Sequence, residues 1–211
     1  MEGQQSEYEL QNTNEHLLNS KWVVWYHNPS DKSWTIDSYK DILEISSIED
    51  FLVLQNSWDK CLPLVSEGMF FVMRKLKSGK AIYPQWEDDN NKNGGYWSFK
   101  IPKEKAQEVW FKLCRYTLGE CICYSALESL QVNGISISPK KNFCIIKIWN
   151  NNSSKEDIKL LSKNLLFLDM SEVKYSSHLA NIERDQTKQK KYNQNNRKFN
   201  RKNQRIKLGR F

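Results

Sequence analysis

The sequence is poor in the groups most catalysts and membrane proteins depend on. It has only three histidines, at positions 16, 27 and 178, and none is spaced as a catalytic set. No apolar run approaches the ~20 residues a helix needs to cross a bilayer. The five cysteines (Cys61, Cys114, Cys121, Cys123 and Cys144) are odd in number and contain no C-x-x-C pair. Cys121-Ile122-Cys123 is too tight for the ligand spacing of structural zinc. These thiols read as reduced, in an intracellular protein held together without staples. Nothing at the N-terminus reads as a targeting sequence, and no internal repeat is visible. No cofactor or metal is expected.

What is present is charge, unevenly placed. Net charge is +7 over 211 residues. Residues 184–211 hold 11 Lys/Arg against one acid, whereas the remainder holds 21 basic against 24 acidic residues. A slightly acidic body therefore carries a strongly basic tail. Such a segment has too few apolar residues for a core, so 184–211 is expected to be disordered. Its charge suits polyanions and also fits a nuclear address, which makes the expected location cytoplasmic with nuclear access. Residues 1–18 are polar and aperiodic and read as a flexible arm, leaving 19–183 as one domain.

Within that domain, Lys21–His27 is a dense aromatic and β-branched strand. Trp34–Ile45 reads as a second strand. Ser47 opens a helix through the Ser-x-x-acid capping pattern, with Ile48, Phe51, Leu52 and Leu54 at helical spacing. Strands follow at Met69–Leu76 and Tyr96–Ile101. A helix over 103–118 comes next, with Pro102 at its start and Gly119 as its C-cap. Glu128–Ile137 and Phe143–Trp149 read as paired strands, Lys155–Leu168 as a third amphipathic helix, and Met170–Tyr175 as a short strand. This order predicts an α+β fold: one curved antiparallel sheet with three helices on its convex side.

Eight tryptophans is a high count. Trp25, Trp97 and Trp110 fall on apolar periodicities and read as core. Trp34 and Trp86 sit instead beside polar loops. Two such indoles can sandwich a flat ring, and a cationic ring gains up to ~2 kcal/mol more once desolvated. Glu87, next to Trp86, supplies acceptor oxygens without donors. Guanine presents N1–H and N2–H side by side, and methylation at N7 makes the base cationic. The pattern therefore suits a methylated guanine nucleotide, with lysines for its phosphates.

At this point the sequence resembles the eukaryotic translation initiation factor 4E family, which binds the 7-methylguanosine cap of messenger RNA. The matching pieces run in family order over roughly residues 16–183: HLLNSKWVVWY (16–26), KSWTI (32–36), IEDF (48–51), PQWEDDNNKNGGYW (84–97), LGE (118–120), KIW (147–149) and YSSH (175–178). The resemblance implies cap stacking by Trp34 and Trp86, guanine reading by Glu87, and contact of Trp149 with the N7-methyl group, on the concave side of the sheet. For the phosphates the candidates are Lys140, Lys141, Lys147 and Arg184. Lys147 lies two residues from Trp149 and so shares its sheet face. The Asn133-Gly134 region lacks the family's arginine, and its hairpin is longer. His178 lies near RNA beyond the cap in the family, or is a plain turn histidine.

The family also holds a scaffold protein, factor 4G, on the convex side through a Tyr-x-x-x-x-Leu-hydrophobic helix. The candidate groove residues are His16, Ile48, Leu52, Phe111, Lys112 and Arg115. Leu52 stands where the family has a tryptophan, Lys112 where it has a glutamate, Arg115 where it has a leucine, and Leu17 where a proline follows the histidine. The expected partners are thus capped mRNA and a non-standard 4G-like scaffold, with the protein itself a monomer and no membrane involved. A cap-competing repressor remains an alternative, as does an enzyme acting on capped RNA or a generic RNA-binding body. The Asn/Lys/Ile-rich composition fits an AT-rich genome, of a unicellular eukaryote or a large DNA virus.

Overall fold

The computed structural model describes residues 15–188 and 190–192. Seven strands form one antiparallel sheet: β1 (Leu17–His27), β2 (Tyr39–Ser47), β3 (Met69–Arg74), β4 (Gly95–Pro102), β5 (Val132–Pro139), β6 (Phe143–Asn150) and β7 (Lys174–Ser177). Their order across the sheet is β2-β1-β3-β5-β6-β4-β7. Helices α1 (Ile48–Cys61), α2 (Ala106–Leu118) and the four-residue α3 (Ala126–Ser129) join them. A further helix, α4, runs from residue 178 through 188, and 190–192 are helical as well.

Alternation along β1 sorts the two faces. Trp22, Val24 and Tyr26 turn to the helices, where Phe51, Leu54, Trp58, Val109, Trp110 and Leu113 complete the main core. Val23 and Trp25 turn the other way, into a smaller cluster with Tyr39, Phe71, Met73, Ile82 and Trp149. One face is thus covered by helices and the other is lined by aromatics and left open. The Ser47–Asp50 capping box that starts α1 is complete, with each side chain bonding the other's backbone N–H.

Several expectations are corrected. β1 begins at Leu17, inside the segment read as an arm; residues 1–14 lie outside the described residues. The second strand begins at Tyr39, so Trp34 belongs to the loop before it. β5 starts at Val132, because the Ser125 hydroxyl caps α3 just upstream. The Lys155–Leu168 helix does not form; this stretch holds the 3-10 turn Ile158–Leu160 and an isolated bridge from Leu161 to Cys123. Its helical spacing reflects burial of Leu161, Leu165 and Leu168 from an irregular chain. Backbone groups there bond sideways: Ser162 N–H to the Ile122 carbonyl, and the Leu160 carbonyl to Tyr124 N–H. The Asp157 carboxylate and Ser162 hydroxyl capture Lys159 and Asn164 N–H, the local competition that disfavours helix.

Gly119 is the C-cap of α2, as expected, with an ordinary negative φ, and the left-handed residue is the next one, Glu120, at φ 51°. A non-glycine residue there costs about 1–2 kcal/mol. Glu120 is held by an ion pair with buried Arg74 and by the Ser20 hydroxyl. Despite burial, those bonds keep its carboxyl below the usual range. Residues 184–188 and 190–192 continue α4, so the expected boundary at 184 falls inside a helix; 193–211 lie outside the described residues. Among the described residues, no helix is long and apolar enough to cross a membrane.

Candidate functional site

On the open face, β1 ends at His27, fully buried and paired in register with Tyr39. The loop from 28 to 38 folds back over this corner. Its turns are held by Asp31, whose carboxylate takes Ser33 N–H, and by Asn28, which takes Ser30 N–H. Trp34 is thereby laid flat on His27, with ring centres 4.3 Å apart and planes 2° from parallel. Tyr39 meets it from the side at 6.4 Å. Trp34 still exposes 53% of its surface. One indole face is covered by imidazole, and the rest of the ring is available.

Facing this loop is the stretch from 83 to 95. Asp88 organises it: one carboxylate oxygen takes Tyr83 N–H and the other takes Asn90. Buried Asn91 donates to the Tyr83 and Gln85 carbonyls and accepts from Asn133. Asp89 pairs with Lys92 at 2.8 Å. Of the three acids in this loop, only Glu87 is without a hydrogen bond or ion pair among the described residues; it is exposed, and its charge raises the pKa of the Tyr39 hydroxyl further after burial has raised it. Trp86 is half-buried beside it. Gln85, the preceding residue, donates to the Trp34 carbonyl at 2.6 Å and ties the two tryptophan loops together. Gly94 and Gly95 close the stretch because the chain is crowded there: a Cβ on Gly94 would lie 1.9 Å from the Asn150 carbonyl oxygen.

The third part comes from β4, β6 and α4. The Lys147 ammonium sits 4.1 Å from the Tyr96 ring centre and 5.7 Å from that of Trp86. Burial, then the charge of Lys140, lowers its pKa to about 8. Trp149 is buried, its indole N–H donating to the Ser136 hydroxyl at 3.0 Å. His178 packs on Trp149 with ring centres 4.8 Å apart. Desolvation, helped by Lys147, pushes His178 down to about 3, so it is neutral at physiological pH. It is no turn histidine: it opens α4 from beneath the aromatic floor. Three residues on, buried Asn181 donates to the Tyr96 hydroxyl and accepts from Arg184. Lys140 and Lys141 are exposed on the β5–β6 turn. Asn133, where the family arginine is missing, serves the 83–95 loop instead, donating to the Asn90 carbonyl at 2.7 Å.

The two tryptophan loops, a carboxylate without a partner among the described residues and a half-buried lysine thus share one face of the sheet. The family model described as eukaryotic initiation factor 4E matches residues 17–193. The chain belongs to that family. The eukaryotic translation initiation factor 4E of Candida albicans is 31% identical over 179 residues, covering 78% of this chain and 80% of that protein. That of Saccharomyces cerevisiae is 30% identical over 150 residues, covering 68% and 65%. Among solved structures, the fold is similar to that of C. elegans eIF4E-3 in complex with the 4E-binding protein Mextli and a cap analog. There the TM-score is 0.64 at 20% identity, over 78% of this chain and 93% of that one. Ascaris suum eIF4E-3 with m7G cap gives 0.63 at 23% identity, over 78% and 92%.

As a member of the initiation factor 4E family, the chain has its partner-groove candidates on the helix side. His16 bonds Glu49 through its backbone N–H and its ring, at 3.0 and 2.8 Å. Ile48 and Leu52 are exposed, next to exposed Leu17 and Val53. Lys112 is paired with Glu108 at 2.6 Å, and Arg115 donates to neutral Gln55 at 2.9 Å. Phe111 is not a surface residue: it is buried edge-on against Trp58, 5.3 Å between ring centres, and belongs to the core. Neighbouring Trp110 is buried as well, so helical spacing alone did not separate the groove from the core. Sequence reasoning missed His27, Gln85, Tyr39, Tyr96 and Asn181. His27 and Tyr96 could have been found by alternation, two residues from Trp25 on β1 and one from Trp97 on β4.

Proposed function

We propose that this protein binds the 7-methylguanosine cap of messenger RNA and acts in translation initiation by recruiting a scaffold partner to its helix-covered side. In this reading the cationic base stacks between Trp34 and Trp86. Glu87 accepts the two guanine N–H groups, Trp149 lies against the methyl group, and Lys147 meets the phosphates with Lys140, Lys141 and Arg184 around it. The observation that carries it is Glu87, exposed beside Trp86 and without a partner among the described residues, while the neighbouring acids Asp88 and Asp89 are consumed in holding the loop. A carboxylate kept free of protein donors is ready for donors from a ligand. No step in this activity makes or breaks a bond, and the protein works in the cytoplasm with its basic tail as a nuclear address. A cap competitor that represses translation is the second reading, favoured by Leu52, Lys112 and Arg115 in the partner groove.

Tryptophan fluorescence titration tests the first reading. 7-Methylguanosine triphosphate should quench and bind far more tightly than guanosine triphosphate. Glu87→Gln replaces one acceptor with a donor facing guanine's N–H groups and removes a charge, a mismatch of roughly 1.5–3 kcal/mol or more, and should weaken binding at least tenfold with folding intact. Equal affinity for the two nucleotides would sink the cap reading.

A further inference from the structure

His27 is the last residue of β1 and is completely buried, yet only one of its ring nitrogens is satisfied. Nε2 lies 2.8 Å from the Ser33 carbonyl oxygen, to which it donates, so the proton sits on Nε2. Nδ1 then carries a lone pair with no partner among the described residues. Burying an unmatched acceptor is unfavourable, and a phenylalanine here would stack on Trp34 equally well without it. What imidazole adds is the bond to Ser33, the residue that precedes Trp34. The same side chain therefore covers the inner face of the indole, 2° from parallel, and pins the backbone that carries it. Gln85 holds the carbonyl on the other side of the same residue.

We propose that His27 is a positioning residue of the site: it fixes the plane of Trp34 through the ring stack and the Ser33 bond, so that the outer indole face is set before a cationic base arrives. Preorganisation of this kind raises affinity by removing an ordering cost at binding. It also acts on selectivity, because the gain from a positive ring depends on its lying over the indole face. The proposal rests on Trp34 being a cap-stacking residue.

Two variants separate the contributions. His27→Phe keeps a flat ring of similar size and deletes the bond; His27→Leu deletes both. His27→Phe should weaken 7-methylguanosine triphosphate about fivefold, the worth of one ordinary hydrogen bond, with guanosine triphosphate nearly unchanged. His27→Leu should lose roughly a further two- to tenfold with the aromatic pair. In a Trp34→Ala background neither should matter, since a residue that acts through Trp34 has nothing left to position. A second readout needs no ligand. With 5-fluorotryptophan incorporated and the Trp34 resonance assigned through Trp34→Phe, the fluorine line should be narrow in the parent and broadened in both His27 variants. Equal losses with and without Trp34, or a line unaffected by His27→Leu, would overturn the proposal. A parent protein that does not prefer the methylated nucleotide would overturn the cap reading instead, and the fluorine line would still decide the role of His27.

Discussion

Lys147 shows how one residue's surroundings set the pH range over which a site works. Its ammonium is held against Tyr96 and near Trp86 on a half-buried side chain, and burial with the Lys140 charge brings its pKa down from 10.5 to about 8. Between those two values the unfolded chain binds a proton that the folded one has released, so this residue makes stability rise with pH across that window. The positive charge offered to a phosphate falls across the same window. The expected outcome is that Lys147→Met weakens 7-methylguanosine triphosphate about tenfold at pH 7, the scale of a charge-assisted hydrogen bond. That ratio of parent to variant should shrink towards one above pH 8, and taking the ratio cancels any titration of the nucleotide itself. A tenfold ratio constant from pH 7 to 9.5 would mean that Lys147 keeps its ordinary pKa, and a ratio of one at pH 7 would mean that it does not face the phosphates. That Lys147, Trp149, Trp86 and Glu87 fall in one region was legible from motif and strand alternation, because their neighbours in sequence are their neighbours in space. Gln85 was not, since its partner Trp34 lies 51 residues away, and no local pattern encodes that bond.

At the scale of elements, the sequence was most legible where a local rule decides the geometry and least where burial imitates a period. The Ser47 capping box and the β1 strand were read correctly, the first from backbone chemistry within a few residues and the second from its density of aromatic and β-branched residues. Lys155–Leu168 imitates an amphipathic helix while the chain is irregular, because local side chains capture its backbone and the segment around Ile122–Tyr124 bonds it sideways. The partner groove also changes once α2 is seen in place. Lys112 and Arg115 look alike in sequence, but Lys112 is already matched by Glu108 whereas Arg115 meets only neutral Gln55. A Tyr-x-x-x-x-Leu peptide with flanking arginines should therefore bind weakly, in the micromolar range, through the lost aromatic contact at Leu52 together with repulsion, of which Arg115 supplies more than Lys112. Arg115→Leu should recover affinity several-fold, on the scale of up to ~1 kcal/mol for an exposed charge pair. Lys112→Gln should recover little, because it frees Glu108 only by removing its partner. Calorimetry with the three proteins checks this. Equal recovery from both substitutions would mean the Glu108 pair does not hold in solution, and nanomolar binding by the parent would mean the groove tolerates both charges.

For the whole molecule, the separation of charge matters more than its net value. The basic segment leaves the body along α4, whose first turn is buried against the floor of the site: His178 on Trp149, then Asn181 on Tyr96, then Arg184 on Asn181. The first cation of the basic stretch, Arg184, thus lies one turn from the floor of the candidate site. Residues 193–211 carry seven Lys/Arg and no acid. Removing them leaves the helix through 192 and every candidate pocket residue in place. Affinity for the free cap nucleotide should therefore be nearly unchanged, while affinity for capped single-stranded RNA of ten or more nucleotides, roughly the reach of such a segment, should fall. The log–log dependence of that affinity on salt should flatten by about 0.7 for each phosphate that the tail no longer neutralises. Fluorescence titration of both ligands at several salt concentrations separates the two effects. A truncated protein with an unchanged salt slope would remove RNA binding from the tail's role and leave the nuclear address as its use; a drop in free-nucleotide affinity would mean instead that the tail folds back onto the pocket.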